Sequence, residues 1–354
     1  MSSAVRSWRN VTASHDETAQ AVAFAHSGDG DAFQRLAEHH RAGIQLHCYR
    51  MLGSFHEAED VTAETFVRAW RGMRDFEGRA SLRNWLYRIA TNACLNAIET
   101  RRNARRILPV MEFPSSVEMP EREPASDVAW LEPCPDAAIV HVADGAPGPD
   151  AQFELRESVR LAFIAAIQHL PGRQRAVLLL HDVLGWTAGE VGTALDTSSA
   201  SIGSALQRAR ASLARRLPSG RESASLQPQE EERTLLDRYM RSWETADVDA
   251  FVAVLREDAV ISMPPWRQWY RGRNDVARFF TWTTRPGGHA PFRLLPTRAN
   301  GQPAFAFYSR WQGTEWRAHS IQLLDIDKGE IAAMTSFVDP HLFPLFALPS
   351  VLPT

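Results

Sequence analysis

The sequence predicts a multidomain protein in which two all-α helical domains, the second a helix-turn-helix, precede a C-terminal α+β domain. Its 354 residues suffice for two or three domains at roughly 100–200 residues each. Apolar residues recur at helical spacing in two separate blocks. The last third begins with helices and continues with strand-like runs separated by Asn-Gly and Lys-Gly turn signals.

Composition indicates a folded protein outside the membrane. The chain is 44% hydrophobic and 23% charged, which argues against wholesale disorder or a coiled-coil rod. No apolar run approaches the roughly 20 residues of a membrane span, and no apolar core follows Arg6 and Arg9 to form a signal peptide. Cys48, Cys94 and Cys134 are too widely spaced for a Cys-x-x-Cys zinc site. We therefore expect a soluble, cytoplasmic protein without metal or cofactor.

Proline content and charge set the segment boundaries. Residues 107–150 contain eight prolines, and 111–150 carry one Arg against nine acidic residues, which predicts a linker. The flanking blocks are basic, at +3 over 29–110 and +4 over 151–221, and 222–354 carries −2. The predicted segments are an N-terminal extension 1–28, a helical domain 29–106, the linker 107–150, a helical domain 151–218, a second linker 219–230 and the α+β domain 231–354. The basic blocks suggest nucleic acid as a partner, although solvated helix faces would also explain them.

The first helical domain ends in a long helix with a polar side. Helices are predicted from Asp31 to Leu52 and from Glu57 to Trp70. Ser81 then precedes a helix whose predicted buried stripe is Leu82, Trp85, Leu86, Ile89, Ala93 and Ile98. Arg83, Arg88, Asn92, Asn96, Arg101 and Arg102 project from its other sides. That side is available for phosphates and bases, or it is a plain solvated face.

The second helical domain contains the helix-turn-helix pattern. Helices are predicted over 155–170 and 174–183, and a Thr187–Glu190 capping box opens a short helix that ends at Leu195. After a turn, a longer basic helix covers 199–217, which is the arrangement of a helix-turn-helix. The side chains expected at the major groove are Ser201, Ser204, Gln207 and Arg208. An ordinary helical hairpin is the alternative.

The α+β domain is predicted to begin with helices over 235–246 and 248–255. A strand over 257–264, a helix from Gly272 and an antiparallel sheet follow. The predicted strands of that sheet are 292–298, 304–310, 318–326 and 331–338. Six tryptophans in this block could line a pocket, but tryptophans more often form the core.

The two helical domains together resemble a bacterial RNA polymerase sigma factor of the extracytoplasmic-function group. The run from Glu59 to Trp70 is similar to the family's core-polymerase-binding helix, and the run from Ser81 to Asn92 is similar to its promoter-melting helix. Leu170-Pro171-Gly172-Arg173-Gln174-Arg175-Ala176-Val177, with Gly189-Glu190-Val191 and Gln207-Arg208-Ala209-Arg210, is similar to its minus-thirty-five-binding domain. The C-terminal block resembles the SnoaL-like, ketosteroid-isomerase-like α+β cone.

The resemblance implies partners and site residues. Core RNA polymerase would contact Asp60, Glu64, Phe66 and Arg68, whereas Trp70 and Trp85 are favoured as core residues. The minus-ten promoter element would meet Arg88, Asn92, Asn96, Arg101 and Arg102, because asparagine can bond an unstacked base and arginine can neutralise phosphates. The minus-thirty-five element would meet Ser201, Ser204, Gln207 and Arg208.

The C-terminal domain is interpreted as regulatory. Enzymes with this cone place an acid or a base in the pocket, but the run from Ile261 to Trp266 has no ionisable side chain. His319 and Asp339 are the remaining candidates, and with Trp266 they would line a pocket for a small-molecule ligand. We assign no catalytic residue and expect the domain to modulate the sigma domains by docking on them or by binding that ligand.

Two alternatives to a sigma factor stay open. A stand-alone helix-turn-helix regulator would bind duplex DNA without polymerase, but it would not need the block over 57–102. A small-molecule enzyme fused to a DNA-binding module would lose turnover on replacement of His319 or Asp339.

Overall fold

The computed structural model describes residue 23 and residues 30–101, 105–120, 123–143, 149–217, 229–310 and 313–353. These residues divide into two compact units. Unit 1 falls within Met1–Arg106 and Asp136–Pro218, and unit 2 falls within Ile107–Pro135 and Ser219–Thr354. No helix in the described part of the chain is long and apolar enough to cross a membrane.

Unit 1 is helical. Its α-helices are α1 Gly30–Leu52, α2 Phe55–Gly72, α3 Leu82–Thr100, α4 Asp136–Ala143, α5 Pro149–Glu157, α6 Leu161–Gln168, α7 Gly172–Leu178, α8 Ala188–Ala194 and α9 Ser199–Ala214. We call the part formed by α1–α3 region A and the part from α6 to α9 region B. The core of region A is apolar and closely packed, with Ile44, Tyr49 and Leu52 fully buried. Such burial supplies most of the stability of short helices.

The predicted helix over 155–170 is wrong as a single element. The structure has two helices, α5 and α6, interrupted at Arg160, whose ψ of 141° is extended. The Ser158 hydroxyl donates to the Leu155 carbonyl (2.6 Å) and accepts from the Arg50 guanidinium (2.6 Å). The apolar spacing predicted one continuous helix. The interruption lies beside the hydrogen bond from Arg50 to Ser158, and a partner so distant in sequence leaves no sign in the local apolar pattern. The predicted helix 174–183 is also divided, into α7 and a π-helical turn over Leu179–Val183.

Unit 2 combines helices with one mixed sheet. Its helices are α10 Gln229–Thr245, α11 Val248–Val252 and α12 Arg273–Thr284, with a further turn of helix at Pro109–Glu112 and a 3-10 helix at Pro340–Phe346. Its strands are β1 Leu255–Ser262, β2 Trp269–Arg271, β3 Phe292–Ala299, β4 Gln302–Ser309, β5 Trp316–Asp327, β6 Glu330–Phe337 and β7 Val351–Leu352. The helix predicted over 248–255 is too long, because α11 ends at Val252 and Leu255 begins β1.

The sheet of the described residues has the order β2-β1-β6-β5-β4-β3, with β7 beside β5. The predicted antiparallel sheet is confirmed for β3 to β6, and β1, for which no partner was predicted, pairs with β6 in parallel with Ile261 opposite Met334. The long crossover between these strands permits parallel pairing. Both predicted turns are confirmed, and their residues, Asn300-Gly301 and Lys328-Gly329, have the positive φ angles of tight hairpins.

Aromatic side chains fill the space between the helices and the sheet of unit 2. Trp243 of α10 lies with its ring centroid 4.6 Å from Phe280 and 5.2 Å from Phe307. Tyr239, one turn earlier, is fully buried, and its hydroxyl donates to the Gln322 side chain. Of the tryptophans in this block, Trp243 and Trp269 are therefore core, whereas Trp266, Trp282 and Trp316 are partly exposed.

The predicted linker 107–150 is divided between the units. Its first part, 107–135, packs onto the sheet domain of unit 2. The Trp269 indole donates to the Phe113 carbonyl (2.8 Å), and the Tyr270 hydroxyl donates to the Glu118 carbonyl (2.8 Å). Cys134 exchanges hydrogen bonds with Asn300, which is itself fully buried. High proline and acidic content predicted a flexible or partly extended linker, but in its first part these backbone groups are bound by the rest of unit 2.

Candidate nucleic-acid interface

The predicted promoter-melting helix is α3, and it presents polar side chains to solvent. Ser81 begins it by accepting from the Asn84 amide (3.2 Å), which satisfies one of the free N–H groups of the first turn. Leu82, Leu86 and Ala90 are buried on one side. The exposed side carries three of the predicted minus-ten residues, Arg88, Asn92 and Asn96.

The other two predicted minus-ten residues differ from these. Arg101 follows the end of α3 and lies 3.1 Å from a carboxylate oxygen of Glu57, which also pairs with Arg106 at 3.0 Å. Burial lowers the pKa of Arg101 although Glu57 acts in the opposite direction. Arg101 is thus held within the protein, away from the open face of α3. Arg102 lies outside the described residues.

The helix-turn-helix is formed by α8 and α9. The predicted capping box is present: the Glu190 amide donates to the Thr187 hydroxyl (3.2 Å), and the Thr187 amide donates to the Glu190 carboxylate (2.7 Å). Gly192 allows the turn to approach closely, since a Cβ there would lie 2.7 Å from the Thr197 carbonyl oxygen. Arg210 of α9 is paired with Asp182 (2.9 Å), whose carboxyl pKa is lowered by hydrogen bonds from Arg210 and His181 despite an opposing effect of burial.

The four predicted minus-thirty-five residues share one side of α9. Ser201, Ser204, Gln207 and Arg208 are all exposed, whereas Ile202, Leu206 and Ala209 are buried. Ser198 begins the helix and accepts from the Ser201 amide (3.2 Å). This geometry leaves the side chains of the second helix open to a groove, as recognition by a helix-turn-helix requires.

Arg175 joins region A to region B. It is 4% exposed, and its guanidinium donates to the carbonyls of Met51 (region A), Ile167 and Leu170, and to both the carbonyl and the side chain of Gln168. The sequence predicted no such role, because arginine is rarely buried and its position in a run of helical residues gives no sign of burial. The pKa of Arg175 is lowered to about 9 by burial and by the repulsion of Arg101.

A groove of about 320 Å³ lies where α3 faces region B. Arg88, Asn92 and Asn96 contribute one wall, and Arg173 and Leu195 contribute the other. The Tyr87 and Trp186 rings also meet across the two regions, with centroids 6.5 Å apart. In this arrangement the predicted minus-ten side chains face region B across the groove.

The predicted polymerase-binding residues lie on α2. Asp60, Glu64 and Arg68 are exposed, and Arg68 pairs with Glu64 at 2.6 Å. Phe66 is buried. The preference for Trp70 as a core residue is wrong: Trp70 is 43% exposed and covers Phe33, because it lies at the edge of the helix's apolar stripe. Trp85 is half-buried against Phe76.

The predicted pocket residues of unit 2 have structural contacts of their own. His319 lies against the rings of Phe292 and His289, and burial lowers its pKa to about 3. Asp339 begins the 3-10 helix by accepting from the His341 amide (2.9 Å). Trp266 follows β1, and its amide donates to the Met263 carbonyl (2.8 Å).

The strand pairing brings these three residues to the same end of the sheet. Ile321 lies opposite Phe337, which sets His319 level with Asp339, and the Val338 amide donates to the Pro264 carbonyl. Sequence reasoning missed one buried polar residue of this part of unit 2. It is Gln322, whose side chain is hydrogen-bonded to Tyr239 and Ser336. No metal-binding cluster is found among the described residues.

Family models match all three folded parts of the chain. Residues 36–105 match Sigma-70 region 2, residues 160–213 match Sigma-70 region 4, and residues 236–334 match the SnoaL-like domain. Region A therefore corresponds to region 2 and region B to region 4. These matches define a sigma-70-type transcription initiation protein with a C-terminal SnoaL-like domain.

Comparison with individual proteins shows to which group of sigma factors the chain belongs. The chain is 39% identical over 321 residues to the ECF RNA polymerase sigma factor SigG of Mycobacterium tuberculosis, covering 90% of this chain and 85% of that one. It is 31% identical over 169 residues to SigW of Bacillus subtilis, covering 48% and 80%. The crystal structure of the Mycobacterium tuberculosis extracytoplasmic function sigma factor SigJ superposes with a TM-score of 0.56 at 20% identity, over 89% of this chain and 99% of that one. The chain belongs to the extracytoplasmic-function sigma factors.

Proposed function

We propose that this protein binds core RNA polymerase and directs it to promoters with a minus-ten and a minus-thirty-five element. The observation that carries the proposal is the pair of exposed polar faces in one chain, on α3 and on α9. The first offers Asn92, Asn96 and Arg88 to an opened strand, and the second offers Gln207 and Arg208 to a major groove. A protein that binds core RNA polymerase would act in the cytoplasm.

The exposed acidic side of α2 supports polymerase binding. Asp60 and Glu64 are one helical turn apart and solvent-facing, so both can pair with arginines of a partner. The Arg68 that now pairs with Glu64 is itself 40% exposed, and such surface pairs are weak enough to exchange partners.

The test is run-off transcription with purified core polymerase on a library of random promoters. We expect the protein to co-migrate with core polymerase and to select start sites, with weak binding to duplex DNA in the absence of polymerase. Tight binding to palindromic duplex DNA without polymerase, and no start-site selection with it, would instead indicate a stand-alone regulator.

We further propose that the SnoaL-like domain modulates the sigma regions and does no chemistry. The proposal is supported by the packing of residues 107–135 within unit 2, since this segment leads from region 2 towards region 4. His319 is half-buried against the rings of Phe292 and His289, and Asp339 caps a helix, so neither is arranged as a free acid or base. Removal of 231–354 should change the yield of run-off transcript, and an unchanged yield would contradict this role.

A further inference from the structure

Asp182 and Arg210 form a bidentate ion pair between the turn that follows α7 and the second helix of the helix-turn-helix, α9. Arg210 Nε lies 2.9 Å from Asp182 Oδ2, and Arg210 Nη2 lies 2.5 Å from Asp182 Oδ1. His181 Nδ1 lies 2.7 Å from Oδ1 and must be the donor, because an ionised carboxylate only accepts. Both carboxylate oxygens are therefore bonded, and the Asp182 side chain, 17% exposed, is held in one orientation.

The backbone that carries Asp182 is fixed by its own packing. Asp182 lies in the π-helical turn Leu179–Val183, in which the Leu184 amide donates to the Leu179 carbonyl (2.9 Å). Such turns are rare and frequently occur at functional sites. Leu179 and Leu180 are fully buried. The ion pair therefore joins a fixed part of region B to α9.

Arg210 lies at the edge between the buried and the exposed side of α9. It follows the buried Ala209 and comes one helical turn after the exposed Gln207. Ile202 and Leu206 hold α9 against the rest of region B, but apolar packing is non-directional and tolerates a small rotation of the helix about its axis. The two hydrogen bonds of a bidentate pair are directional, so they fix this rotation as well.

The pair is better placed to set the orientation of α9 than to stabilise it. The Arg210 side chain is 55% exposed, and ion pairs so open to solvent contribute little to stability. Recognition of a base edge, in contrast, needs a side chain held within about 0.5 Å of its productive position. A small rotation of α9 would therefore impair recognition while the fold persists.

We propose that Asp182 is a positioning residue for minus-thirty-five recognition, which acts through Arg210 by fixing the rotation of α9. That rotation sets which base edges can be reached by the exposed side chains of α9, which are Ser201, Ser204, Gln207 and Arg208. In this role Arg210 is bound within the protein and is not a phosphate contact, because its Nε and Nη2 both donate to Asp182. The inference rests on the proposed function, since it names the residue that orients the promoter-reading helix.

The test compares holoenzyme binding to a promoter selected in the run-off experiment with binding to the same promoter carrying a scrambled minus-thirty-five element. Competition gel-shift titration gives the ratio of the two affinities. Asp182→Asn should lower this ratio about fivefold or more, which is the lower end of what one good base contact contributes to discrimination. Arg210→Lys keeps the positive charge but loses the bidentate geometry, so it should lower the ratio equally. The double variant should be no worse than either single variant, because all three remove the same interaction.

Two controls separate the orientation of α9 from a general loss of charge or of structure. Glu38→Gln removes the exposed ion pair with Arg41 (2.9 Å) on α1, and it should keep the parent ratio. Hydrogen exchange of the α9 amides should stay at the parent level in Asp182→Asn, which excludes local unfolding as the cause of a lower ratio.

Three outcomes would overturn the inference and leave the proposed function standing. They are a parent-like ratio in Asp182→Asn, a ratio that falls together with the protection of the α9 amides, and a parent-like ratio in Arg210→Lys, which would mean that Arg210 acts by its charge alone. If the parent showed no preference for the intact minus-thirty-five element, that result would contradict the proposed function, and this inference with it.

Discussion

At the residue scale, the two proposed promoter contacts have separable tasks. Arg208 is exposed on α9 and Asn92 is exposed on α3. Arg208→Ala should weaken recognition of the minus-thirty-five element by about 1–3 kcal/mol if it bonds a base edge. Asn92→Ala should instead impair strand opening and leave docking on duplex promoter largely intact. Permanganate footprinting of holoenzyme complexes reports opening, and gel-shift titration reports docking; equal loss of both steps in each variant would contradict the division.

Histidines with lowered pKa values make stability fall in acid. The pKa of His319 is lowered to about 3 by burial and by the repulsion of His289, whose own pKa is also lowered. The unfolded chain therefore takes up the proton first: this contribution is complete above about pH 6.5 and is lost progressively as pH falls towards 3. His319→Gln should reduce the drop in unfolding temperature between pH 7.5 and pH 5.

The control for that measurement is His341→Gln, which replaces an exposed histidine of unit 2. Thermal unfolding of this variant should keep the parent's dependence on pH. His40 and His47 of unit 1 are buried with lowered pKa values as well, so the dependence should shrink in His319→Gln without vanishing. The same slope in parent and His319→Gln would contradict the assignment.

At the scale of elements, the helix-turn-helix depends on a glycine that admits no side chain. A Cβ on Gly192 would meet the Thr197 carbonyl at 2.7 Å, whereas a Cβ on Gly203 of α9 would meet nothing within 4 Å. Gly192→Ala should destabilise the motif by about 1–3 kcal/mol through the forced backbone shift. Gly203→Ala, the same chemical change, should stabilise it by about 0.5–1 kcal/mol through helix propensity.

Hydrogen exchange of the α8 and α9 amides measures these local stabilities in the full chain. Protection should fall in Gly192→Ala and rise in Gly203→Ala. If both variants changed in the same direction, the close approach at Gly192 would not govern the turn.

Elements with a local cause were predictable from the sequence, and those with a distant cause were not. The Thr187 capping box and the Asn300-Gly301 turn are each decided by neighbours in sequence, and both are present. The interruption at Arg160, beside a hydroxyl bonded by Arg50 from 108 residues away, left no local signal. Binding of residues 107–135 to Trp269 and Tyr270 escaped prediction for the same reason, since composition describes a segment and not its partner.

In the candidate nucleic-acid interface, too, features with a local cause were predictable and features with a distant cause were not. The exposed faces of α3 and α9 follow from helical periodicity, which also predicted that Ile202 and Leu206 would be buried. Which polar residues would be withdrawn from the surface did not follow. Arg175 and Arg101 look like surface arginines in sequence, but Arg175 is buried where region B meets region A, and Arg101 is partly buried in an ion pair with Glu57.

At the scale of the whole molecule, the packing of regions 2 and 4 in unit 1 conflicts with simultaneous use of both proposed DNA faces. The groove that Arg88, Asn92 and Asn96 line is closed on its other side by Arg173 and Leu195. We expect a strand that fills the groove to displace region 4, and promoter binding should then separate the regions. Separating the regions costs free energy, and this cost lowers the apparent affinity for the promoter because only the separated form binds it through both faces.

Weakening the packing should therefore raise promoter occupancy. Gly172→Leu places a side chain against Leu95 and Ile98 of α3, whereas Gly189→Leu adds the same side chain where the nearest atom to a Cβ is the Thr187 hydroxyl oxygen at 3.9 Å. Energy transfer between dyes at Arg79→Cys and Ala211→Cys reports the separation, and the buried Cys48, Cys94 and Cys134 should not compete for label. We expect lower transfer and tighter promoter binding by holoenzyme in Gly172→Leu, with parent values in Gly189→Leu. Lower transfer with unchanged or weaker promoter binding would mean that the packed form does not oppose promoter engagement.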